Sequence, residues 1–133
     1  MPKITDEQLE RELIFILNQH VGKGNAINRW ELVAKLFEPV PLYLQNDDNI
    51  QDREIRYAVS RLRAQGHLIC DLGNGNGRYL AANEAEFWEL YTYYLKPIQS
   101  RSAVLRAMKK AAQAKWPNVL QPSLFSFDEL ESV

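Results

Sequence analysis

The sequence predicts a mainly α chain with a small β-hairpin, an α+β class, ending in a long C-terminal helix. Three observations predict it. Apolar residues recur at three- and four-residue spacing over several segments, the period of a helix with one buried face. Two short runs rich in branched and aromatic residues flank Gly73-Asn74-Gly75-Asn76-Gly77, a loop suited to positive φ. Beyond Asn83 the helical spacing continues for about eight turns.

The first helix starts at Thr5, whose hydroxyl can cap it, with Asp6 and Glu7 suited to its positive end. Leu9, Leu13, Ile16 and Leu17 form its apolar stripe, widened by Ile14 and Phe15. Gly22-Lys23-Gly24-Asn25 ends it, and Ala26-Ile27 reads as a very short strand. Asn28 and Glu31 have the spacing of a capping box, so a second helix should run from about Arg29 to Phe37 and stop before Pro39 and Pro41. Trp30, Leu32, Val33, Leu36 and Phe37 supply its packing. Glu38 to Ile50, about 13 residues with two prolines and Asn46-Asp47-Asp48-Asn49, reads as an irregular loop.

From Asp52 a third helix buries Ile55, Ala58, Val59 and Leu62. Its opposite side carries Arg53, Arg56, Tyr57, Ser60 and Arg63, with Arg61 on the flank. Gly66 is placed to end this helix. Strands over Leu68–Leu72 and Arg78–Ala81 follow, and Cys70 falls in the first as a buried, unreactive thiol. Asn83 with Glu86 opens the last helix, whose stripe includes Phe87, Tyr91, Tyr94, Leu95, Ile98, Leu105, Met108 and Ala112. Pro97 is expected to kink or split it. The aromatic cluster Phe87, Trp88, Tyr91, Tyr93 and Tyr94 is expected to serve core packing of the long helix against the preceding domain rather than as a base-stacking platform. The organisation expected is a domain over 4–82, a helical arm over 83–116 and an extended acidic tail over 117–133.

A net charge of −1 conceals segregation. Residues 1–50 hold 5 Lys/Arg and 8 Asp/Glu, residues 51–117 hold 11 and 6, and residues 118–133 hold none and 3. A polyanion responds to the local field, so the middle segment points to nucleic acid. No run approaches the roughly 20 apolar residues of a membrane span, and the first residues lack the pattern of a signal peptide. With one cysteine, no internal disulfide is possible, which fits a cytosolic, reducing setting.

Catalytic chemistry finds little support. His20 and His67 are the only histidines, and no Cys/His/Asp spacing suits a metal. Nothing has the pattern of a Ser-His-Asp or Cys-His arrangement. The glycine loop leads into a strand, whereas phosphate-cradling loops lead into a helix N-terminus. A non-enzymatic protein with no cofactor and no metal is expected.

The order helix, strand, helix, helix, strand, strand, and the run from Ile55 to Asn83, resemble the winged helix-turn-helix proteins of phages and prophages. These share an Ile-Arg helix leading through Leu-Arg and Gly to a strand, then a glycine-rich wing ending in Arg-Tyr or Gly-Tyr. The resemblance implies double-stranded DNA binding, with the third helix in the major groove and the wing along the backbone or minor groove. By position it assigns Arg53, Arg56, Tyr57, Ser60, Arg61 and Arg63 on the helix, and Asn74, Asn76 and Arg78 on the wing. The chain departs from that pattern in its long Glu38–Ile50 loop, which replaces a short turn and brings acids near the implied DNA face. The role implied is a phage- or plasmid-derived regulator or a replication accessory.

In the tail, Gln121-Pro122-Ser123-Leu124-Phe125 resembles the peptide by which bacterial proteins attach to the DNA sliding clamp, with Pro122 in place of the usual Leu. Gln121, Leu124 and Phe125 would be the contacts. This supports a second expectation, an adaptor that binds replication proteins. The apolar stripe of the last helix outruns a small domain, so a homodimer through that helix is expected.

Overall fold

The computed structural model describes residues 4–117. The chain divides into two compact units, one up to Trp88 and one from Glu89 onward.

In the first unit, three helices pack on a small sheet. Helix α1 (Asp6–Leu17) begins at Thr5, whose hydroxyl accepts from Gln8 N–H while the Gln8 side chain accepts from Thr5 N–H, a reciprocal cap. Strand β1 (Ile27–Asn28) leads directly into helix α2 (Arg29–Leu36), capped by Asn28, whose Oδ1 accepts from Trp30 N–H at 2.9 Å. Helix α3 (Ile50–Ala64) begins two residues earlier than Asp52, because Asn49 Oδ1 accepts from Asp52 N–H at 2.9 Å and so fixes the start. It ends at Gly66, whose φ of +99° only glycine adopts without strain. Strands β2 (Ile69–Asp71) and β3 (Gly77–Leu80) form the hairpin, β2 shorter than its expected run by one residue at each end and β3 shifted one residue toward the N-terminus.

The sheet order is β1-β3-β2, antiparallel throughout, with Ile27 opposite Arg78 and Cys70 opposite Tyr79. The core joins Leu9, Leu13 and Leu17 of α1, Leu32, Val33 and Leu36 of α2, Ile55, Ala58, Val59 and Leu62 of α3, and Ile27 and Ile69 of the sheet. The sequence-predicted stripes of all three helices are therefore the buried faces. Phe15 is the exception: it lies outside the stripe and is 67% exposed. Cys70 is buried, and desolvation holds its thiol above the ordinary range, so thiolate is scarce.

Gly77 is required by its neighbours. A Cβ there would lie 2.8 Å from Leu72 Cδ1 and 3.1 Å from the Ile27 carbonyl oxygen. Gly77→Ala is expected to cost about 1–3 kcal/mol in thermal unfolding, by forcing the β1–β3 pair and the Leu72 side chain to shift.

Helix α4 (Glu84–Lys115) starts in the first unit and supplies the described helical part of the second. Asn83 Oδ1 accepts from Glu86 N–H at 3.0 Å, the expected cap. Glu86 turns back, its carboxylate accepting from Ala82 N–H at 2.8 Å and Lys23 N–H at 2.9 Å. These two backbone donors, Ala82 the stronger, hold the Glu86 carboxyl below the usual glutamate range. A lowered folded-state pKa means that this stabilisation is complete above the ordinary glutamate pKa and is lost as pH falls through the lower folded value. Glu86→Gln should therefore lower the melting temperature at neutral pH and lose that deficit in acid, which a pH series of melting curves reads directly.

Helix α4 is not split at Pro97. The missing proline N–H leaves the Tyr93 carbonyl without its helical donor, but Tyr93 and Pro97 are both exposed, so water can satisfy it. Among the described residues, no helix is long and apolar enough to cross a membrane.

Candidate nucleic-acid interface

Helix α3 and the β2–β3 hairpin carry all nine residues expected on the nucleic-acid face. The helical period puts Arg53, Tyr57 and Ser60 along the line opposite the buried stripe, and all three are exposed. Arg56, Arg61 and Arg63 lie nearer the edges of that line and are only partly exposed. Asn74 and Asn76 are exposed at the hairpin tip, where Asn74 Oδ1 accepts from Asn76 N–H at 3.0 Å and shapes the turn. Arg78 is turned inward, its side chain 12% exposed.

Each arginine of this set has a carboxylate partner. Arg61 reaches α1, with Nε donating to Glu10 at 3.0 Å and a longer approach of 3.7 Å to Asp6. Arg63 folds over the end of α3, donating to the Ile69 carbonyl at 2.8 Å and to Asp71 at 3.0 Å. Arg78 lies 3.5 Å from the same Asp71. Burial lowers the proton affinity of its guanidinium, and Asp71 opposes that effect. Arg53 is the loosest, 3.9 Å from Asp48. These pairs compensate part of the charge that the composition of residues 51–117 assigns to this face.

The centre of the arrangement is Asp52, in the first turn of α3 and fully buried. Arg29 grips it bidentately, Nε to Oδ1 at 3.0 Å and Nη2 to Oδ2 at 2.7 Å. Arg56, one turn along α3, places Nε 3.2 Å from Oδ2. Arg29 Nη2 also donates to Asp47 Oδ1 at 2.9 Å, and Arg56 Nη2 to the Asp47 carbonyl at 2.7 Å. The hydrogen bond with Asp52 is the main reason that the Arg29 guanidinium is held still more firmly in its charged form. Arg29 N–H donates to the Asn76 carbonyl at 2.9 Å. One arginine thus ties α2, the α2–α3 segment, the start of α3 and the hairpin tip together.

Sequence reading identified Arg29 only as the first residue of α2. Its partner is 23 residues away, and no local pattern links them. The segment from Phe37 to Asn49 is also more ordered than an irregular loop. It contains a 3-10 turn (Leu42–Leu44) and internal bonds from Gln45 Nε2 to the Val40 carbonyl and from Asn49 Nδ2 to the Leu44 carbonyl. It leaves Leu42, Tyr43 and Leu44 exposed, as are Ile50 and Tyr57 on α3.

The pairing changes one expectation. From the sequence, Arg56 and Arg63 lie off the buried stripe, and replacing both should leave stability unchanged. In the structure, removing Arg56 withdraws a partner from buried Asp52, and removing Arg63 strips a bond from β2. The double change to Ala is expected to destabilise the fold by about 1–3 kcal/mol, so a binding loss in that variant reports on DNA only alongside a melting curve.

Among the described residues, no group of three or more His, Cys, Asp or Glu side chains converges to hold a metal ion. Gln121, Leu124 and Phe125, the clamp-like peptide, lie outside the described residues. No protein family, no curated protein and no solved structure matches this chain.

Proposed function

We propose that this chain is a non-catalytic, duplex-DNA-binding protein of the winged helix-turn-helix type, serving as a regulator or replication accessory in a phage- or plasmid-like setting. The observation that carries the reading is topological. The element order α1-β1-α2-α3-β2-β3 with sheet order β1-β3-β2 follows α3 with a hairpin whose tip is built from glycine and asparagine. Helix α3 presents Arg53, Tyr57 and Ser60, and the hairpin presents Asn74 and Asn76, all able to meet base edges or phosphates. The test is binding of the full chain to a random-sequence duplex followed as salt rises. Affinity is expected to fall steeply between about 50 and 200 mM salt. A salt-independent affinity, or none at low salt, would refute the reading.

The second reading, a protein-interaction adaptor, draws on a specific observation. The arginines of the α3 face are paired with carboxylates, while Leu42, Tyr43, Leu44, Ile50 and Tyr57 are exposed. On this reading the exposed apolar residues, and a tail contact of Gln121, Leu124 and Phe125 with the bacterial sliding clamp, take the place of DNA. Binding to the clamp with no binding to duplex would select it.

We further propose a homodimer through α4. Tyr91, Tyr94, Ile98, Leu105, Met108 and Ala112 follow one three-four stripe, and all but Ala112, which is half-buried, are exposed. Sedimentation of the full chain at micromolar concentration should give about twice the monomer mass. A monomer across that range would remove the dimer.

A further inference from the structure

The two units carry opposite charge. Residues 1–88 hold 10 Lys/Arg against 13 Asp/Glu, a balance of −3. The second unit, residues 89–133, holds six cations, Lys96, Arg101, Arg106, Lys109, Lys110 and Lys115, against Glu89, Asp128, Glu129 and Glu131, a balance of +2, with all six cations before residue 118. From Leu90 to Pro117 there is no Asp or Glu, and Lys96, Arg106 and Lys110 are exposed within this stretch of α4. By contrast the arginines of α3 and β3 each lie within ion-pair distance of a carboxylate.

The helical period sorts this stretch into two sides. Tyr91, Tyr94, Ile98, Leu105, Met108 and Ala112 form the apolar stripe. Lys96, Gln99, Ala103, Arg106, Lys110 and Gln113 repeat the three-four spacing on the opposite side, and all six are exposed. Lys96 to Lys110 covers roughly 21 Å of helix at about 1.5 Å per residue. Three cations along such a line, with Gln99 between them and Gln113 just beyond, suit a row of phosphates, where ammonium and guanidinium groups neutralise charge and amides donate to oxygen.

A membrane surface fits less well. An interfacial helix buries its apolar side and keeps its cations level with the headgroups. With the Ile98–Leu105–Met108 stripe in lipid, Lys96, Arg106 and Lys110 would point away from the surface.

We infer that the Lys96–Lys110 face of α4 binds the phosphate backbone of duplex nucleic acid and supplies most of the electrostatic attraction. The α3 and hairpin edge then contributes groove contacts through Tyr57, Ser60, Asn74 and Asn76. This rests on the nucleic-acid reading above and assigns its charge to a surface outside the winged unit.

The test compares the full-length chain with a triple variant, Lys96→Ala, Arg106→Ala and Lys110→Ala. Alanine is a strong helix former at exposed positions, so α4 should persist. A second triple variant to Gln repeats the test with longer polar side chains. Each phosphate contact contributes about 0.9 to the slope of log affinity against log salt. Both variants should show a slope shallower by about 2–3 and a large affinity loss at low salt. Arg53→Ala should change the slope by about one at most.

A wild-type slope in both triple variants, with duplex binding intact, would overturn this inference and leave the function reading standing. Absence of duplex binding by the wild-type chain would remove both. Binding of the wild-type chain to vesicles rich in anionic phospholipid, lost in the triple variants while duplex binding is retained, would assign the face to a membrane instead.

Discussion

Replacing Asp52 with Ala is expected to destabilise the first unit by about 3–5 kcal/mol. The carboxylate is fully buried and is held by the Arg29 fork and by Arg56. Removing it leaves the Arg29 guanidinium, itself only 15% exposed, without its main partner. The loss is therefore mainly the desolvation of a largely buried guanidinium left with only Asp47 as its carboxylate partner, which exceeds the net worth of the pair. Calorimetric melting of the full chain should show the first unit's transition fall by well over about 10 °C, at roughly 4–8 °C per kcal/mol for a domain of this size. Asp52→Asn keeps one acceptor and should fall between the two. A drop of only a degree or two for Asp52→Ala would mean that the cluster is not structural.

The second large effect is Ile55→Ala, expected to cost about 2–5 kcal/mol. Ile55 has no exposure and lies on the face of α3 that packs against α1 and α2. Removing its branched side chain leaves a cavity between helices that the sheet prevents from closing freely. Because Ile55 sits one turn from both Asp52 and Val59, it also sets the axial rotation of α3, and with it the direction of Tyr57 and Ser60. Urea unfolding should shift to lower midpoint with little change in slope. An unchanged midpoint would contradict the packing described.

The helices and hairpin were legible because each rests on a local rule. Leu9, Leu13 and Leu17 are spaced to share a face, Asn28 caps one helix, and Gly66 ends another. The polar faces were not legible in the same way. Arg61 and Arg63 have the sequence context of groove-facing arginines, yet Glu10 and Asp71 claim them from elements 51 and 8 residues away. An outward arginine and an ion-paired one leave the same helical pattern; only the tertiary fold separates them. The Asp52 cluster was invisible for the same reason, since a carboxylate in a first turn reads as dipole compensation until Arg29 is brought over it. The start of α3 was misjudged for a local reason: Asn49 belongs to a run of Asn and Asp that reads as loop, although its side chain caps the helix. The charge of α4 was visible in composition, but its meaning depended on knowing that the arginines of α3 and β3 already have carboxylate partners.

Residue-level NMR shift mapping tests most directly the proposal that α3 and the hairpin tip form a nucleic-acid surface. Titrating the full chain with a random-sequence duplex at low salt should move the amide signals of Arg53, Tyr57 and Ser60 together with those of Asn74 and Asn76. Signals of the buried stripe, Ile55, Ala58 and Leu62, should move little. Duplex binding that leaves both α3 and the hairpin tip unmoved would contradict the account.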